Sequence, residues 1–269
     1  MGENARIRVL SLRGGDGVES GLRIAGSSGP AILFIHGVGS TAAIWDRQLL
    51  AFAQSARCAA LELRGNGAVP DPAPAAITRA GYALDAIAAL DALGAERAVI
   101  VGCSLGGVVA FELARRAPQR LAGLVLVGSF ARYPDAENYV RRILTALDAA
   151  GDMETFARAR TAQLGLPPER ERETIEQMAC KSRASYEAAT HATWTGDYRE
   201  DLGVLRVPAL VLVGERDAIA PRALSEEIAA GIPGAQLFEV SGAGHVANAD
   251  APDAFDRYLQ AFLDERIGK

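Results

Sequence analysis

Short apolar runs recur along the chain, and stretches with apolar residues at three- and four-residue spacing separate them. Unbroken apolar runs are typical of parallel strands buried on both faces, whereas the longer spacing is typical of amphipathic helices. The runs predict strands at residues 31–35, 58–63, 98–103, 121–127, 209–213 and 236–240. The periodic stretches predict helices at residues 41–54, 77–93, 105–116, 221–230 and 252–265.

The order of these elements indicates the fold class. Because strand and helix alternate, we expect a parallel sheet with right-handed crossovers and helices on both faces. Two amphipathic segments, residues 7–12 and 19–24, precede the first buried strand and predict an antiparallel edge hairpin. The sequence therefore predicts an α/β fold.

One interval interrupts the alternation. From about residue 131 to about residue 205 no strand pattern occurs, while helical patterns continue at 136–149, 153–164, 169–182 and 186–194. We interpret this interval as a helical cap that is inserted after the sixth strand and covers the carboxyl edge of the sheet. The predicted domains are a core, residues 1–130 and 206–269, and a cap, residues 131–205.

Composition and charge narrow the classes of function. Of the 269 residues 49% are hydrophobic and 23% are charged, an ordinary globular mixture for one large domain with an insertion. The net charge is −5 and the basic residues form no stripe, so we expect no surface for nucleic acid or anionic membrane. No apolar run approaches the ~20 residues that span a bilayer, and residues 1–10 lack the apolar region of a signal peptide.

The three cysteines, Cys58, Cys103 and Cys180, show no C-x-x-C spacing, which argues against both a disulfide framework and a structural zinc site. We therefore expect a reduced, cytoplasmic protein, either a monomer or a homodimer. Its expected partner is a small-molecule substrate, and no metal or organic cofactor is implied.

A glycine-rich turn follows the strand predicted at 98–103. Gly102-Cys103-Ser104-Leu105-Gly106 lies between that strand and the helix predicted from Leu105. In this context a G-x-S-x-G sequence projects a serine hydroxyl from a tight turn, because glycine at both ends removes side chains that would collide. A chance Gly/Ser turn is the alternative interpretation, and Cys103 is expected only to pack. We predict that Ser104 is a catalytic nucleophile.

A catalytic serine needs a base to remove its proton and an acid to orient the base. His245 is one of three histidines and lies in a glycine-rich loop directly after the last predicted strand. Two candidate acids, Glu215 and Asp217, follow the strand predicted at 209–213. Asp217 has a structural alternative, because it could cap the helix that follows it.

The strand predicted at 31–35 runs into the turn His36-Gly37-Val38-Gly39. A tetrahedral intermediate needs two aligned N–H donors, each worth about 3 kcal/mol of barrier. We assign these donors to the backbone amides of Val38 and Leu105, which form the predicted oxyanion hole. His36 is expected to brace the turn, and His191 either lines the pocket or lies on the surface.

These residues resemble the α/β-hydrolase superfamily over essentially the whole chain. The matching segments are His36-Gly37, Arg64-Gly65-Asn66-Gly67, the Gly102–Gly106 turn, the Asp217 loop and Gly244-His245. The resemblance favours Asp217 as the acid, because G-x-x-D followed by proline is similar to the acid loop of that superfamily. It implies an eight-stranded, mostly parallel sheet and a triad in the order Ser104, Asp217, His245.

Among subfamilies, the sequence is most similar to 3-oxoadipate enol-lactonases and bacterial esterases. Glu62 and Val69 depart from the pattern, because they stand where that superfamily usually has aspartate and serine. The resemblance implies cleavage of a carboxylic ester or lactone through an acyl-enzyme on Ser104. Carbon–carbon bond hydrolysis is an alternative, and so is a ligand-binding or biosynthetic role without hydrolysis. The candidate partners for a substrate carboxylate are Arg132, Arg141, Arg142, Arg158, Arg160 and Arg183.

Overall fold

Strands and helices alternate along the chain in the computed structural model, which describes residues 6–162, 166 and 168–267. The strands are β1 (Arg8–Arg13), β2 (Glu19–Ala25), β3 (Ala31–Ile35), β4 (Arg57–Glu62), β5 (Ala98–Cys103), β6 (Leu121–Val127), β7 (Ala209–Gly214) and β8 (Gln236–Val240). The helices are α1 (Asp46–Phe52), α2 (Arg79–Ala92), α3 (Leu105–Arg116), α4 (Ala136–Ala150), α5 (Met153–Thr161), α6 (Pro168–Ala179), α7 (Arg183–Trp194), α8 (Arg199–Leu202), α9 (Arg222–Gly231), α10 (Ala247–Asp250) and α11 (Pro252–Phe262).

The eight strands form one sheet in the order β1-β2-β4-β3-β5-β6-β7-β8. β2 pairs antiparallel with β1 and with β4, whereas every neighbouring pair from β4 to β8 is parallel. β3, β5 and β7 are buried over their whole length, which explains their unbroken apolar sequences. The predicted eight-stranded, mostly parallel sheet and its antiparallel edge hairpin are confirmed.

Alternate residues of each central strand supply the two faces of the core. In β3, Leu33 and Ile35 join the cluster that contains α2, α3, α9 and the inner side of α4 to α7. Ile32 and Phe34 join the opposite cluster, which contains α1 and α11. On that second face the ring of Trp45 lies 5.1 Å from the ring of Phe34. Helices therefore cover both faces of the sheet, as the alternation predicted.

Some helix limits differ from the prediction. The helix predicted at 41–54 is divided, because Ala42–Trp45 forms a 3-10 turn before α1 begins. The helix predicted at 77–93 begins later, since the Thr78 side chain caps α2 by accepting the Gly81 N–H at 3.0 Å. The predicted helix end at residue 164 lies outside the described residues. The four-residue helices α8 and α10 were not predicted, because about one turn shows no periodicity.

The cap, which comprises α4 to α8, is inserted between β6 and β7. The chain leaves the core and returns to it at neighbouring points. Arg132 and Asp197 form an isolated antiparallel bridge, and the Tyr198 N–H donates to the Ala131 carbonyl oxygen at 2.9 Å. The insertion after the sixth strand is confirmed, while its limits at residues 131 and 205 stay a prediction. Among the helices described, none has both the length and the apolar character needed to cross a membrane.

Candidate active site

Ser104 occupies the sharp turn between β5 and α3. Its φ of +53° and ψ of −112° form a backbone conformation that residues with a Cβ rarely adopt. The turn has no room for larger residues on either side. A Cβ on Gly102 would lie 2.3 Å from the Gly106 carbonyl oxygen, and a Cβ on Gly106 would lie 2.2 Å from the Ile35 carbonyl oxygen. Glycine is therefore required at both positions, and the serine between them is held in a strained geometry.

His245 and Asp217 meet at the carboxyl edge of the sheet, on the loops that follow β8 and β7. The Nδ1 atom of His245 lies 2.9 Å from Oδ2 and 3.0 Å from Oδ1 of Asp217. Oδ1 also accepts the backbone N–H groups of Ile219 and Ala220, each at 2.9 Å. These contacts fix the carboxylate and make Nδ1 the donor, so Nε2 keeps a lone pair that can accept a proton.

A single cavity brings Ser104 and His245 together. Its volume is about 800 Å³ when its open mouth is included. It lies between the carboxyl edge of the sheet and the cap, and its walls are mostly apolar. Among the described residues, the Ser104 hydroxyl makes no hydrogen bond. Ser104 and His245 therefore line the same cavity without a hydrogen bond between their side chains, an arrangement that is common in catalytic sites before substrate binds.

The turn after β3 lies directly against Ser104. A Cβ on Gly37 would lie 3.4 Å from the Cβ of Ser104, and Val38 lines the same cavity. Leu105 is the first residue of α3, where backbone N–H groups have no partner within the helix. Within the described ranges, neither the Val38 amide nor the Leu105 amide donates to a protein acceptor. Both amides are thus available to a ligand atom bound at Ser104.

His36 is wholly buried behind this turn. Its Nδ1 donates to the Gly37 carbonyl oxygen at 2.8 Å, and its Nε2 accepts the Leu63 N–H at 3.3 Å. Glu62 adds a second brace, because its Oε2 accepts the Ala42 N–H at 3.1 Å. Glu62, which departs from the superfamily pattern, therefore supplies a partly buried hydrogen bond to the segment that follows this turn.

Sequence reasoning missed Lys181, which lies between α6 and α7. Its ammonium group is buried, donating to Oδ1 of Asn66 and to the Ser40 carbonyl oxygen at 3.4 Å. Burial lowers the pKa of Lys181 to about 8. Lys181 thereby joins the cap to the loops that follow β3 and β4. The sequence contained one indication of a special position for Lys181, because it is one of only two lysines in the chain.

Of the other candidates, Glu215 and His191 do not line the cavity, whereas Cys103 does. Glu215 accepts the Gly242 N–H at 2.7 Å, and Asp217 rather than Glu215 contacts the imidazole of His245. His191 is exposed and does not line the cavity. Cys103 is buried, and burial raises the pKa of its thiol, which keeps it protonated and supports its interpretation as a packing residue.

Comparison with known proteins gives consistent matches over almost the whole chain. A family profile described as the alpha/beta hydrolase family matches residues 32–257. A protein called carbamate hydrolase RutD from Azorhizobium caulinodans is 32% identical over 88% of this chain and 92% of its own. A hydrolase structure from Pseudomonas aeruginosa is 30% identical, covers 95% of this chain and 98% of its own, and has a TM-score of 0.86. The enol-lactonase from Burkholderia xenovorans is 27% identical, covers 93% and 98%, and has a TM-score of 0.83.

Proposed function

Because the chain belongs to the alpha/beta hydrolase family, we propose that it is a serine hydrolase that cleaves a carboxylic ester or lactone with Ser104, His245 and Asp217. The observation that carries this proposal is the two-oxygen contact between Asp217 and His245 beside the cavity that Ser104 lines. An imidazole oriented in this way is the base that a serine hydroxyl needs.

In the first half of the reaction, Nε2 of His245 accepts the proton of Ser104, and Oγ attacks the carbonyl carbon of the substrate. The Val38 and Leu105 amides donate to the oxyanion that forms, and the N-terminus of α3 adds partial positive charge there. Asp217 stabilises the imidazolium without taking its proton. His245 then protonates the leaving oxygen, which gives an acyl-enzyme and releases an alcohol; a lactone opens with its hydroxyl end still attached.

In the second half, His245 removes a proton from water, and the hydroxide attacks the acyl carbon through the same oxyanion hole. The intermediate collapses, and the proton on His245 passes to Ser104 Oγ. The acid product leaves and the free enzyme is restored. Every proton moves through Nε2, so the reaction balances without a metal or an organic cofactor.

The names of the relatives support the choice of substrate class. One relative is called an enol-lactonase and another a carbamate hydrolase, and both names refer to compounds with a carbonyl group that is attacked on hydrolysis. The mostly apolar cavity walls fit a small organic substrate rather than a polymer. The residue at the turn is a serine, which agrees with acyl transfer. Displacement at a saturated carbon would need a carboxylate at that position instead.

The test is hydrolysis of short p-nitrophenyl esters, together with covalent labelling by a fluorophosphonate and mass spectrometry. We expect turnover and a single adduct on Ser104, and we expect both to be lost in Ser104→Ala. Ser225→Ala is the matched control, because Ser225 is a buried serine in α9 outside the cavity.

The possible outcomes separate the alternatives. Absence of labelling at Ser104 in a folded protein would overturn the proposal and favour a ligand-binding role. Labelling without turnover of any ester or lactone would also contradict it, and would favour carbon–carbon bond hydrolysis or transfer to an acceptor other than water. Labelling with turnover that survives in the Ser225 variant and not in the Ser104 variant would support it.

A further inference from the structure

The cavity above Ser104 is mostly apolar but contains two guanidinium groups, both contributed by the cap. Arg160 is at the end of α5 and Arg170 is at the start of α6. Around them the wall is formed by Tyr186, Trp194 and Met178, among others. A positive charge in such a wall needs a partner, because an ion that leaves water loses its hydration and must be compensated by an opposite charge or by hydrogen bonds. The partners of the two arginines therefore indicate what the cavity is built to hold.

Arg170 has one acidic partner, Glu173. Its Nη1 donates to Oε2 of Glu173 at 2.5 Å. Asp250 also lines the cavity, and burial raises the pKa of its carboxyl group while the charge of Arg170 opposes that rise. The carboxylate of Asp250 is oriented by the Gly244 N–H, which it accepts at 2.9 Å. Arg170 is therefore paired with one protein carboxylate, that of Glu173, although its buried Nε has no hydrogen-bond partner among the described residues.

Arg160 has no such partner. Its Nη2 donates to the hydroxyl of Tyr139 at 3.0 Å, and its guanidinium carbon lies 5.8 Å from the centre of the same ring. No carboxylate among the described residues lies within ion-pair distance of it. A guanidinium has five N–H donors, and the contacts of Arg160 go to the hydroxyls of Tyr139 and Tyr186, so donors remain for a ligand.

The other five candidate arginines of the cap make contacts outside the catalytic cavity. Arg132, Arg158 and Arg183 pair with carboxylates and have exposed side chains. Arg141 donates to Asn138 and Arg142 packs over Tyr139, and neither lines the catalytic cavity. Of the six arginines that the sequence offered as partners for a substrate carboxylate, Arg160 is the one that lines the cavity.

Aromatic contacts hold Arg160 in place. Tyr139 packs between Tyr133 and Trp194, with ring centres at 4.5 Å and 4.7 Å. The Tyr133 hydroxyl donates in turn to the carbonyl oxygen of Ile219, in the loop that carries Asp217. The group that binds Arg160 is thus connected through packed rings to the core loop that orients the catalytic base.

We propose that Arg160 binds a carboxylate of the substrate, so that the enzyme prefers esters or lactones with a second, free carboxylate remote from the reacting carbonyl. This inference rests on the proposed function and specifies its substrate class. A planar carboxylate matches the paired donors of a guanidinium, and the apolar walls between Ser104 and Arg160 suit the carbon chain that joins the two ends.

The first measurement compares two esters with acyl chains of equal length, mono-p-nitrophenyl glutarate and p-nitrophenyl pentanoate. We expect kcat/KM to be higher for the glutarate ester. Arg160→Gln should lower the ratio of the two kcat/KM values by about 10- to 100-fold, the range for loss of a hydrogen-bonded charge pair. Arg160→Lys keeps the charge without the paired donors, so its ratio should be intermediate.

Arg158→Gln is the matched control, because Arg158 lies two residues earlier on α5 with an exposed side chain paired to Glu154. Its ratio should equal that of the unmodified enzyme. Equal kcat/KM values for the two esters in the unmodified enzyme would overturn the proposal. An equal fall of the ratio in the Arg158 and Arg160 variants would also overturn it.

A binding measurement separates this inference from the proposed function. Isothermal titration of the Ser104→Ala protein with glutarate should show binding, and titration with pentanoate should show weaker binding. Glutarate binding that is no tighter than pentanoate binding would contradict the role of Arg160 whatever the enzyme hydrolyses. Tighter glutarate binding to a protein that hydrolyses neither ester would support the carboxylate site and reject the proposed reaction.

Discussion

Gly214 and Gly244 approach so closely that a Cβ on Gly214 would lie 2.0 Å from the carbonyl oxygen of Gly244. Gly214 ends β7, which leads to Asp217, and Gly244 directly precedes His245. The backbone is joined at the same place, where the Arg216 N–H donates to the Ala243 carbonyl oxygen at 2.9 Å. This contact between two loops sets the distance between the acid and the base.

Gly214→Ala should therefore impair catalysis without touching any reacting group. The added methyl must push the Gly244 peptide away, and displacement of a catalytic group by about 1 Å can cost about 10²-fold in rate. Overpacking should also lower the free energy of unfolding by about 1–3 kcal/mol. Gly203→Ala is the control, because no atom lies within 4 Å of a Cβ at that position. Ester kinetics and urea unfolding of both variants check this, and equal activity in the two would contradict it.

The strained backbone of Ser104 predicts a stability difference between two inactive variants. A non-glycine residue at φ +53° stores about 1–3 kcal/mol, and glycine releases this strain at the cost of a more flexible unfolded chain. We expect Ser104→Gly to be more stable than Ser104→Ala by about 1 kcal/mol. Urea unfolding monitored by circular dichroism measures the difference. A glycine variant no more stable than the alanine variant would show that the turn is unstrained.

Asp217→Asn should abolish most activity, whereas Glu215→Gln should leave the activity nearly unchanged. An amide can present its NH₂ group to Nδ1 and so favour the imidazole tautomer that cannot accept the serine proton, which typically lowers kcat by about 10⁴-fold. Glu215 contacts the Gly242 backbone instead of the imidazole, so its variant tests the acid that sequence reasoning set aside. A larger loss from Glu215→Gln than from Asp217→Asn would reverse the assignment.

Lys181 predicts a rise in stability at alkaline pH. Its folded pKa of about 8 lies below the unfolded value of about 10.4, so between these values the unfolded chain binds the proton more tightly. The free energy of unfolding should therefore increase with pH from about 8 to about 10.4, by up to about 3 kcal/mol. Lys181→Met should remove this increase. Urea unfolding at stepped pH values checks it, and an identical pH dependence in both proteins would contradict it.

Sequence reasoning located the strands and predicted the reacting groups because both depend on local pattern. A strand buried on both faces is an unbroken apolar run, and the turn at Ser104 needs glycine at fixed positions. The limits of the helices were less predictable where tertiary contacts determine them, as at the 3-10 turn before α1. The carboxylate-binding role that we propose for Arg160 could not be predicted from the sequence for the same reason. Six cap arginines look alike in the sequence, and only the packing of α4, α5 and α7 places one of them in the cavity without a carboxylate.

The bridge between Arg132 and Asp197 has an evolutionary consequence. Because Arg132 and Asp197 lie side by side, the segment between them, which carries α4 to α7, leaves the core and returns to it at one place. Replacement of that segment would leave the register of β5, β6 and β7 intact, and with it the spacing of Ser104 and Asp217. Selection could then change the substrate specificity of the protein while the predicted reacting groups keep their positions.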